Sequence, residues 1–183
     1  MNFFEMLLLS RKMSFENGIV TLYEQNIVIF PPQSMRDHIA FASINKENGM
    51  IKNLYYSAKE SMFNHREKIA EIYKTSEGKN WVCDYINMFG QGKIVYENSH
   101  NSPSGIILLY NSPYAKDIKD GSNVPVDHII RGIIAGVLSA ALGKDFDAIE
   151  LYCARVNGDK CKIMVGLKEK LLKSFNEVCI EQI

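Results

Sequence analysis

The sequence lacks any hydrophobic run long enough to cross a membrane. Its longest uncharged apolar candidate, Gly132 to Gly143, has 12 residues, whereas a transmembrane helix needs about 18 or more. The apolar stretch near the N-terminus (3–9) is interrupted by Glu5 and has no basic segment before it, which is not the pattern of a signal peptide. We therefore expect a cytoplasmic protein with no membrane span.

An excess of charge is also lacking, because 21 basic residues balance 21 acidic ones. General nucleic-acid binders carry a basic surface, so the balance argues against that class. Cysteine is scarce, at four residues, and without a secretion signal we expect reduced thiols. A chain of 183 residues that is 46% hydrophobic predicts a single domain over 1–183, with an N-terminal extension (1–14) and a C-terminal helix (about 167–183).

Hydrophobic periodicity predicts a mixture of helices and antiparallel hairpins in the first two thirds of the chain. The expected elements are a hairpin over 18–30 with a polar break at 24–26, a helix over 35–43, one long helix over 51–73, a short helix near 81–89, and strands over 93–98 and 104–110. The second of these strands is aliphatic throughout, so we expect it to be central in the sheet.

The last third of the chain predicts a very apolar helix, a closing hairpin and an amphipathic tail. Pro125 suits the first position of the helix, which ends before Gly143, and its small residues, Gly132 and Gly136 among them, would let another backbone approach closely. The hairpin joins strands over 148–154 and 161–165. The fold class is therefore α+β, an antiparallel sheet of about four to five strands packed against helices.

The two cysteines of the closing hairpin, Cys153 and Cys161, share a sheet face only for some loop lengths. A two-residue loop pairs Ala154 with Cys161 and separates the thiols, whereas a three-residue loop places them together as diagonal neighbours. They are then either ordinary core side chains, with Ile149, Leu151, Ile163 and Val165 on the same face, or a chelating pair. Glu150 would reach the same ion only if its strand were irregular.

The closing segment, Glu150-Leu-Tyr-Cys153-Ala-Arg-Val-Asn-Gly158-Asp-Lys-Cys161, resembles the signature of the 4-vinyl reductase-like domain family. The helix containing Gly132-Ile-Ile-Ala-Gly136 is similar to that family's glycine-containing helix, which follows Pro-Val-Cys; here the triplet ends in Asp127. The segments 89–93, with Gln91 in place of an aromatic residue, and 111–115 are also similar. The resemblance spans about residues 15–165, and its last 40 residues are the specific part.

This resemblance implies the fold of subunits of the TRAPP vesicle-tethering complex, usually as a homodimer. In the phenol- and xylene-responsive transcriptional activators the same domain is a sensor that encloses an aromatic effector above a structural zinc. The zinc ligands there match Glu150, Cys153 and Cys161, together with a cysteine where this sequence has Asp127, beside His128. Zinc accepts carboxylate oxygen or imidazole nitrogen as well as thiolate, so either residue could complete the site; the alternative is an empty site.

Three functions are consistent with these features. The first is a zinc-containing, non-catalytic module that binds an apolar or aromatic small molecule as a sensor or carrier, in a pocket lined by Ile106, Leu108, Ile133 and Val137, with contributions from Tyr55 and Trp81. The second, implied by the family's name, is a tetrapyrrole vinyl reductase or its accessory protein, although the sequence has no dinucleotide or phosphate-binding fingerprint. The third is a dimeric interaction scaffold resembling TRAPP subunits.

Overall fold

The computed structural model of the protein describes residues 5, 8–22, 25–27, 33–74, 83, 87, 90–97, 104–115 and 123–175. The strands within these ranges are β1 (Met13–Glu16), β2 (Ile19–Leu22), β3 (Gln25–Ile27), β4 (Lys93–Tyr96), β5 (Gly105–Tyr110), β6 (Phe146–Tyr152) and β7 (Lys160–Leu167). The helices are α1 (Gln33–Ile44), α2 (Asn48–Phe63), α3 (Arg66–Lys74), α4 (His128–Leu142), α5 (Ala154–Asn157) and α6 (Lys168–Ser174).

The strands form two antiparallel sheets. The main sheet has four strands in the order β4-β5-β7-β6, and a smaller sheet has the order β1-β2-β3. The prediction of an α+β fold with an antiparallel sheet is confirmed, and the aliphatic strand β5 is an interior strand, as expected. Since β7 pairs with both β5 and β6, the last of the described strands lies inside the sheet.

The two faces of the main sheet differ in what they carry. Residues directly opposite each other on paired strands share a face, so Leu109 and Cys161 lie on one face, while Leu108 and Lys162 lie on the other. We call the face of Cys161 the inner face, because its side chains belong to the hydrophobic core that α4 covers. The outer face carries Ile106, Leu108, Ile149 and Met164.

Helix α4 crosses α2 at very short range. A Cβ atom added to Gly132 would lie 2.3 Å from the carbonyl oxygen of Tyr55, and one added to Gly136 would lie 2.4 Å from that of Lys59. Glycine is the residue that permits such an approach between backbones. The expectation that small residues of this helix admit another backbone is therefore confirmed, and the neighbour is α2.

The free edge of β6 is covered by helix side chains. The hydroxyl of Ser139 accepts a hydrogen bond from the backbone N–H of Phe146 at 3.0 Å. The N–H of Ala148 donates to the Tyr55 hydroxyl, and its carbonyl accepts from Arg131 at 2.8 Å. An uncovered edge is a template for pairing with another chain, so these contacts close the sheet at this side.

The N-terminal hairpin differs in detail from the prediction. Gln25 and Asn26, expected in a polar break, pair with β2 as part of β3. A further strand, β1, pairs with β2 through a turn in which Asn17 and Gly18 have positive φ; it includes Met13 and Ser14, which the sequence analysis assigns to an extension.

The predicted long helix over 51–73 is wrong, because α2 ends at Phe63 and α3 begins at Arg66. The N–H of Asn64 bonds to the carbonyl of Glu60, and that of His65 to the carbonyl of Met62, so the last turn tightens before the chain changes direction. Asparagine and histidine are weak helix formers. The 3.6-residue period of apolar residues does not reveal this low helix propensity.

Two further boundaries differ. The apolar helix begins at His128 rather than at Pro125, since the backbone of Asp127 is not helical (φ −84°, ψ 37°). The N–H groups of Val126 and Asp127 bond to a side chain of β6. The tail helix ends at Ser174, where Leu172 is 41% exposed and Leu171 is buried. Most of the short helix predicted over 81–89, and the tail after 175, lie outside the described residues. No helix of the described ranges has the length and hydropathy of a membrane span.

Candidate functional site

The connection between β6 and β7 is not one of the tight turns predicted from the sequence. A helical turn, α5, follows Cys153, and Gly158 closes it in the left-handed conformation at a φ of 83°. Tyr152 pairs with Lys162, so Cys153 and Cys161 come next to each other at the end of the ladder. Neither a two-residue nor a three-residue loop has this register.

A bulge in β6 brings the carboxylate to the thiols. Glu150 pairs with Ile163, but Tyr152 pairs with Lys162, so the register shifts by one residue between them. A bulge of this kind re-aims the side chains after it. Glu150 and Cys153 therefore both lie on the inner face despite their odd spacing. Ile149, expected on that face, pairs with Met164 on the outer one.

The three side chains form a compact group of potential metal ligands. One ligand atom from each of Glu150, Cys153 and Cys161 lies within 4.8 Å of the other two, and all three residues are buried. These are the oxygen and sulfur donors that zinc binds.

Backbone N–H groups hold this cluster in place. Oε2 of Glu150 accepts hydrogen bonds from the N–H groups of Val126 and Asp127, both at 2.9 Å, at the start of α4. The N–H of Ala154 donates to Sγ of Cys161 at 3.3 Å. The segments at the start of α4 and of α5 therefore both direct backbone donors at the cluster. Such donors favour an ionised acceptor.

Asp127 lies beside the cluster at the N-terminal end of α4. It is fully buried, and its Oδ1 accepts a 2.5 Å hydrogen bond from the Ser112 hydroxyl. Its Oδ2 is also buried and has no hydrogen-bond partner in the described part of the chain. Leaving a buried carboxylate oxygen unpaired costs free energy, so this position favours either a proton on Asp127 or a bound cation.

His128 has both ring nitrogens engaged elsewhere. Nδ1 lies 2.7 Å from Nη2 of Arg131, and Nε2 lies 2.9 Å from the hydroxyl of Ser43. A guanidinium can only donate, so Nδ1 accepts and Nε2 carries the proton of a neutral ring. Burial and the Arg131 charge lower the pKa of His128 to about 3.

Burial also changes the acidity of the cluster itself. It raises the pKa of Glu150 well above its ordinary value, an effect that the nearby Asp127 and Cys153 increase. Burial likewise raises the pKa of Asp127, although its contacts with Cys161 and Ser112 oppose the shift. Without a cation, therefore, these buried acids are stabilised in their protonated, neutral forms.

A second buried polar cluster begins one turn along α4. The Arg131 guanidinium is buried 5.0 Å from the centre of the Tyr55 ring, and the Tyr55 hydroxyl donates to Asp147 at 2.5 Å. Asp147 Oδ1 also accepts a hydrogen bond from Lys59 Nζ at 2.6 Å, and Asp147 Oδ2 lies 3.3 Å from Lys168 Nζ. We call these five residues the Asp147 network. In contrast to the first cluster, it contains its own cations.

The residues predicted to line one apolar pocket occupy several places. Ile106 and Leu108 lie on the outer face of the sheet. Val137 and Tyr55 are fully buried in the core, with Ile133 partly buried against it, and Trp81 lies outside the described residues.

Sequence reasoning missed Ser112, Arg131 and Asp147, which support or adjoin the predicted site. Arg131 lies on the most apolar of the described helices, and Asp147 lies within the apolar strand β6. A charged residue within an apolar element is a signal of a buried pair, because an isolated buried charge is very unfavourable. Ser112 carries no such signal.

Known structures share this architecture, although no protein-family model and no curated protein sequence matches the chain. The phenol-responsive sensory domain of the transcription activator PoxR, solved with phenol, has a TM-score of 0.72 and 16% identity over 93% of this chain and 90% of that one. The trafficking protein particle complex subunit 3 of Naegleria fowleri, covalently bound to palmitic acid, has a TM-score of 0.52 and 14% identity, over 75% of this chain and 95% of that one.

A vinyl-4-reductase family protein from Methanocaldococcus jannaschii has a TM-score of 0.51 and 22% identity, over 79% of this chain and 84% of that one. At such identities the likeness concerns the fold. The chain has the fold of these three proteins, as the resemblance of its closing segment implies.

Proposed function

We propose that this chain is a small-molecule-binding domain, a sensor or carrier, in which a zinc ion joins the start of α4 to the closing strands. The observation that carries the proposal is the convergence of buried ligand atoms of Glu150, Cys153 and Cys161 within 4.8 Å. The likeness to a phenol-responsive sensory domain supports the sensor role at the level of fold.

Asp127 is the proposed fourth ligand. Its buried Oδ2 lacks a hydrogen-bond partner among the described residues, and its side chain interacts with Cys161. Both ring nitrogens of His128 are engaged with Arg131 and Ser43, which argues against the alternative ligand. Two thiolates and two carboxylates carry more negative charge than one zinc ion neutralises, and the adjacent Arg131 charge offsets part of the excess.

A zinc ion with four protein ligands would act as a structural crosslink, since it has no open position for water or substrate. The chain's own residues would then orient α4 over the inner face of the sheet. For this reason we propose binding rather than catalysis, and we place the tetrapyrrole reductase alternative second. Incubation with a vinyl tetrapyrrole and reduced nicotinamide tests that alternative by a mass gain of two hydrogens.

Elemental analysis of purified protein tests the zinc site. We expect about one zinc per chain, lost in Cys161→Ser and retained in Cys83→Ser, which alters a half-buried thiol outside the cluster. Asp127→Asn should weaken zinc binding more than His128→Asn does. A stoichiometry far below one in the unaltered protein, or equal loss in both cysteine variants, would contradict the assignment.

We place the proposed ligand on the inner face at the β4 end of the sheet. There Tyr73 of α3, Cys83 and Tyr96 of β4 are partly buried at the margin of the core. Burial, together with the nearby Cys83 and Tyr73, raises the pKa of Tyr96. Aromatic rings with hydroxyl groups in a largely apolar setting suit an apolar molecule with one polar group.

Calorimetry with phenol and with toluene tests this placement. Tyr96→Phe removes one hydroxyl and should weaken phenol binding about tenfold, with little effect on toluene. The matched control is Tyr110→Phe, whose ring lies on the outer face in the row of Leu108. Absence of phenol binding, or the same loss in both variants, would argue against this ligand site.

We further propose that residues 1–183 form one cytoplasmic domain that associates as a homodimer. Large apolar side chains are exposed on the small sheet and on α1: Phe15 at 53%, Ile19 at 49%, Phe41 at 60% and Ile44 at 54%. Exposed apolar side chains of this size occur at protein interaction sites. Sedimentation should show a dimer that Phe41→Ser weakens; a strict monomer contradicts this part of the proposal.

A further inference from the structure

A groove on the surface lies between α2, α4 and α6, and neither the candidate ligands Glu150, Cys153 and Cys161 nor Tyr96 line it. Its volume is about 790 Å³, within the range of small-molecule sites. Its aromatic and cationic lining residues are Tyr56, Lys59, Phe63, Arg66, Lys144 and Lys168. No role in the proposed sensor function accounts for this combination.

Two aromatic rings in the groove are open to solvent. Tyr56 is 41% exposed and Phe63 is 37% exposed. Each already has a cation near its ring: Lys168 Nζ lies 5.9 Å from the centre of Tyr56, and Arg66 Cζ lies 5.5 Å from that of Phe63. An aromatic guest could stack on such rings while its charged group meets the cations.

The cations of the groove outnumber its acids. Lys59 and Lys168 are paired with Asp147, but Arg66 and Lys144 form no ion pair with any carboxylate of the described residues. Of the acids in the lining, Asp145 is already bound by Lys59 at 2.7 Å, which leaves Glu60. The groove therefore favours an anion.

We propose that this groove binds an organic anion with an aromatic body, namely an arene carboxylate. The rings of Tyr56 and Phe63 take the aromatic part, and Arg66 and Lys144 take the carboxylate. Arg66 offers the planar, bidentate donor geometry that matches a carboxylate. This site does not depend on zinc or on the proposed Tyr96 site, so either can fail without the other.

Naphthalene-2-carboxylate is the probe, and neutral 2-naphthol is its counterpart. We expect saturable binding of the carboxylate, observed by NMR titration of the full chain, that is at least about tenfold tighter than that of the naphthol. Binding should weaken as salt rises from about 0.05 to 0.5 M, because partly exposed charges are screened.

Surface variants locate the bound molecule. Arg66→Gln and Lys144→Gln should each weaken carboxylate binding about threefold to tenfold, whereas Lys173→Gln, an exposed lysine outside the groove, should not. Phe63→Ser should weaken both probes, with Leu9→Ser, at an exposed apolar side chain outside the groove, as the control.

Three results would overturn the proposal: no saturation up to about 5 mM carboxylate, equal binding of the neutral probe, or equal effects of Lys144→Gln and Lys173→Gln. Tyr96→Phe serves as a further check. If it weakens naphthoate binding while the groove variants do not, the carboxylate occupies the proposed ligand site at Tyr73 and Tyr96 instead. The proposal that the groove binds it is then rejected.

Discussion

Two buried polar clusters flank the first turns of α4, and they differ in their charge balance. The Asp147 network contains the cations Arg131, Lys59 and Lys168 around one carboxylate. The candidate ligand cluster, formed by Glu150, Cys153 and Cys161 with the neighbouring Asp127, has only acidic groups, with Arg131 as a cation at its margin.

Because of this difference, the Asp147 network is neutralised by its own cations, whereas the candidate ligand cluster is not. Paired buried charges satisfy one another, whereas a buried group of like charge has to be protonated or neutralised by a bound cation. The raised pKa values of Glu150 and Asp127 describe the first outcome, and zinc would supply the second. The predictions below act on one cluster at a time.

The largest effect should follow removal of zinc. We expect the free energy of unfolding to fall by about 5 kcal/mol or more, because metal binding is coupled to folding. The pH dependence should also reverse. In the metal-free folded protein Glu150 and Asp127 stay protonated, because their pKa values are raised. The free energy of unfolding therefore falls as pH rises from about 4, the pKa of these groups in the unfolded chain, through their raised pKa values in the folded protein.

Zinc-loaded protein should behave oppositely, since its folded ligands carry no protons while unfolded cysteine keeps its own below about pH 8.5. Its stability therefore rises with pH. Urea denaturation of both forms between about pH 5 and 8 measures the two slopes. Equal slopes would mean that the purified protein binds no metal at these residues.

The Asp147 network should respond next most strongly, to Asp147→Ala. This change leaves the Tyr55 hydroxyl without its carboxylate and leaves the partly buried Lys59 paired only with the exposed Asp145. Breaking a buried pair costs about 3–5 kcal/mol. Zinc content should not change. The control, Asp145→Asn at a side chain that is 62% exposed, should cost less than about 1 kcal/mol, and an equal loss would show that Asp147 carries no special role.

Changing the α2–α4 crossing should sharpen the comparison, because it displaces Tyr55 from the network. In Gly132→Ala the new Cβ would lie 2.3 Å from the Tyr55 carbonyl oxygen, and we expect a loss of about 3 kcal/mol. In Gly49→Ala, on α2, the new Cβ has no neighbour within 4 Å, and higher helix propensity should stabilise the protein by about 0.5 kcal/mol.

Thermal and urea unfolding of the two glycine variants measures these effects. Opposite signs are the expected result. A neutral Gly132→Ala would mean that α2 and α4 can separate at little cost, and would remove close backbone contact as the reason for glycine there.

The smallest effect concerns Ser112, which holds Asp127 Oδ1 at 2.5 Å. Ser112→Ala should weaken zinc binding about tenfold, since groups that orient a ligand have effects of this size. Competition with a chromophoric chelator measures the affinity. Ser14→Ala, which removes a hydroxyl hydrogen bond to Thr21 in the small sheet, should leave zinc affinity unchanged; a matching change there would assign the effect to general stability.

The sequence was sufficient for the α+β class and the interior strand β5, because aliphatic runs are local signals. The three residues of the cluster came from the resemblance of the closing segment, and cysteine spacing alone left two interpretations open. The sequence was not sufficient for the break at Asn64, the helical turn α5 or the bulge between Glu150 and Tyr152. Periodicity extends through such irregularities, because it reports which residues are apolar and not where the backbone turns.

By itself, then, the sequence determined that glycines on an apolar helix would admit a second backbone and that Glu150, Cys153 and Cys161 were the candidate ligands. Only the tertiary structure decided which other groups meet them. Asp127, with an unpaired buried oxygen, lies beside the thiols, while His128 is held by Arg131 and Ser43. The physical reason is that Asp127 precedes α4 with a non-helical backbone while His128 is its first residue. Their side chains therefore leave the chain in different directions, and the elements packed around each one decide its neighbours.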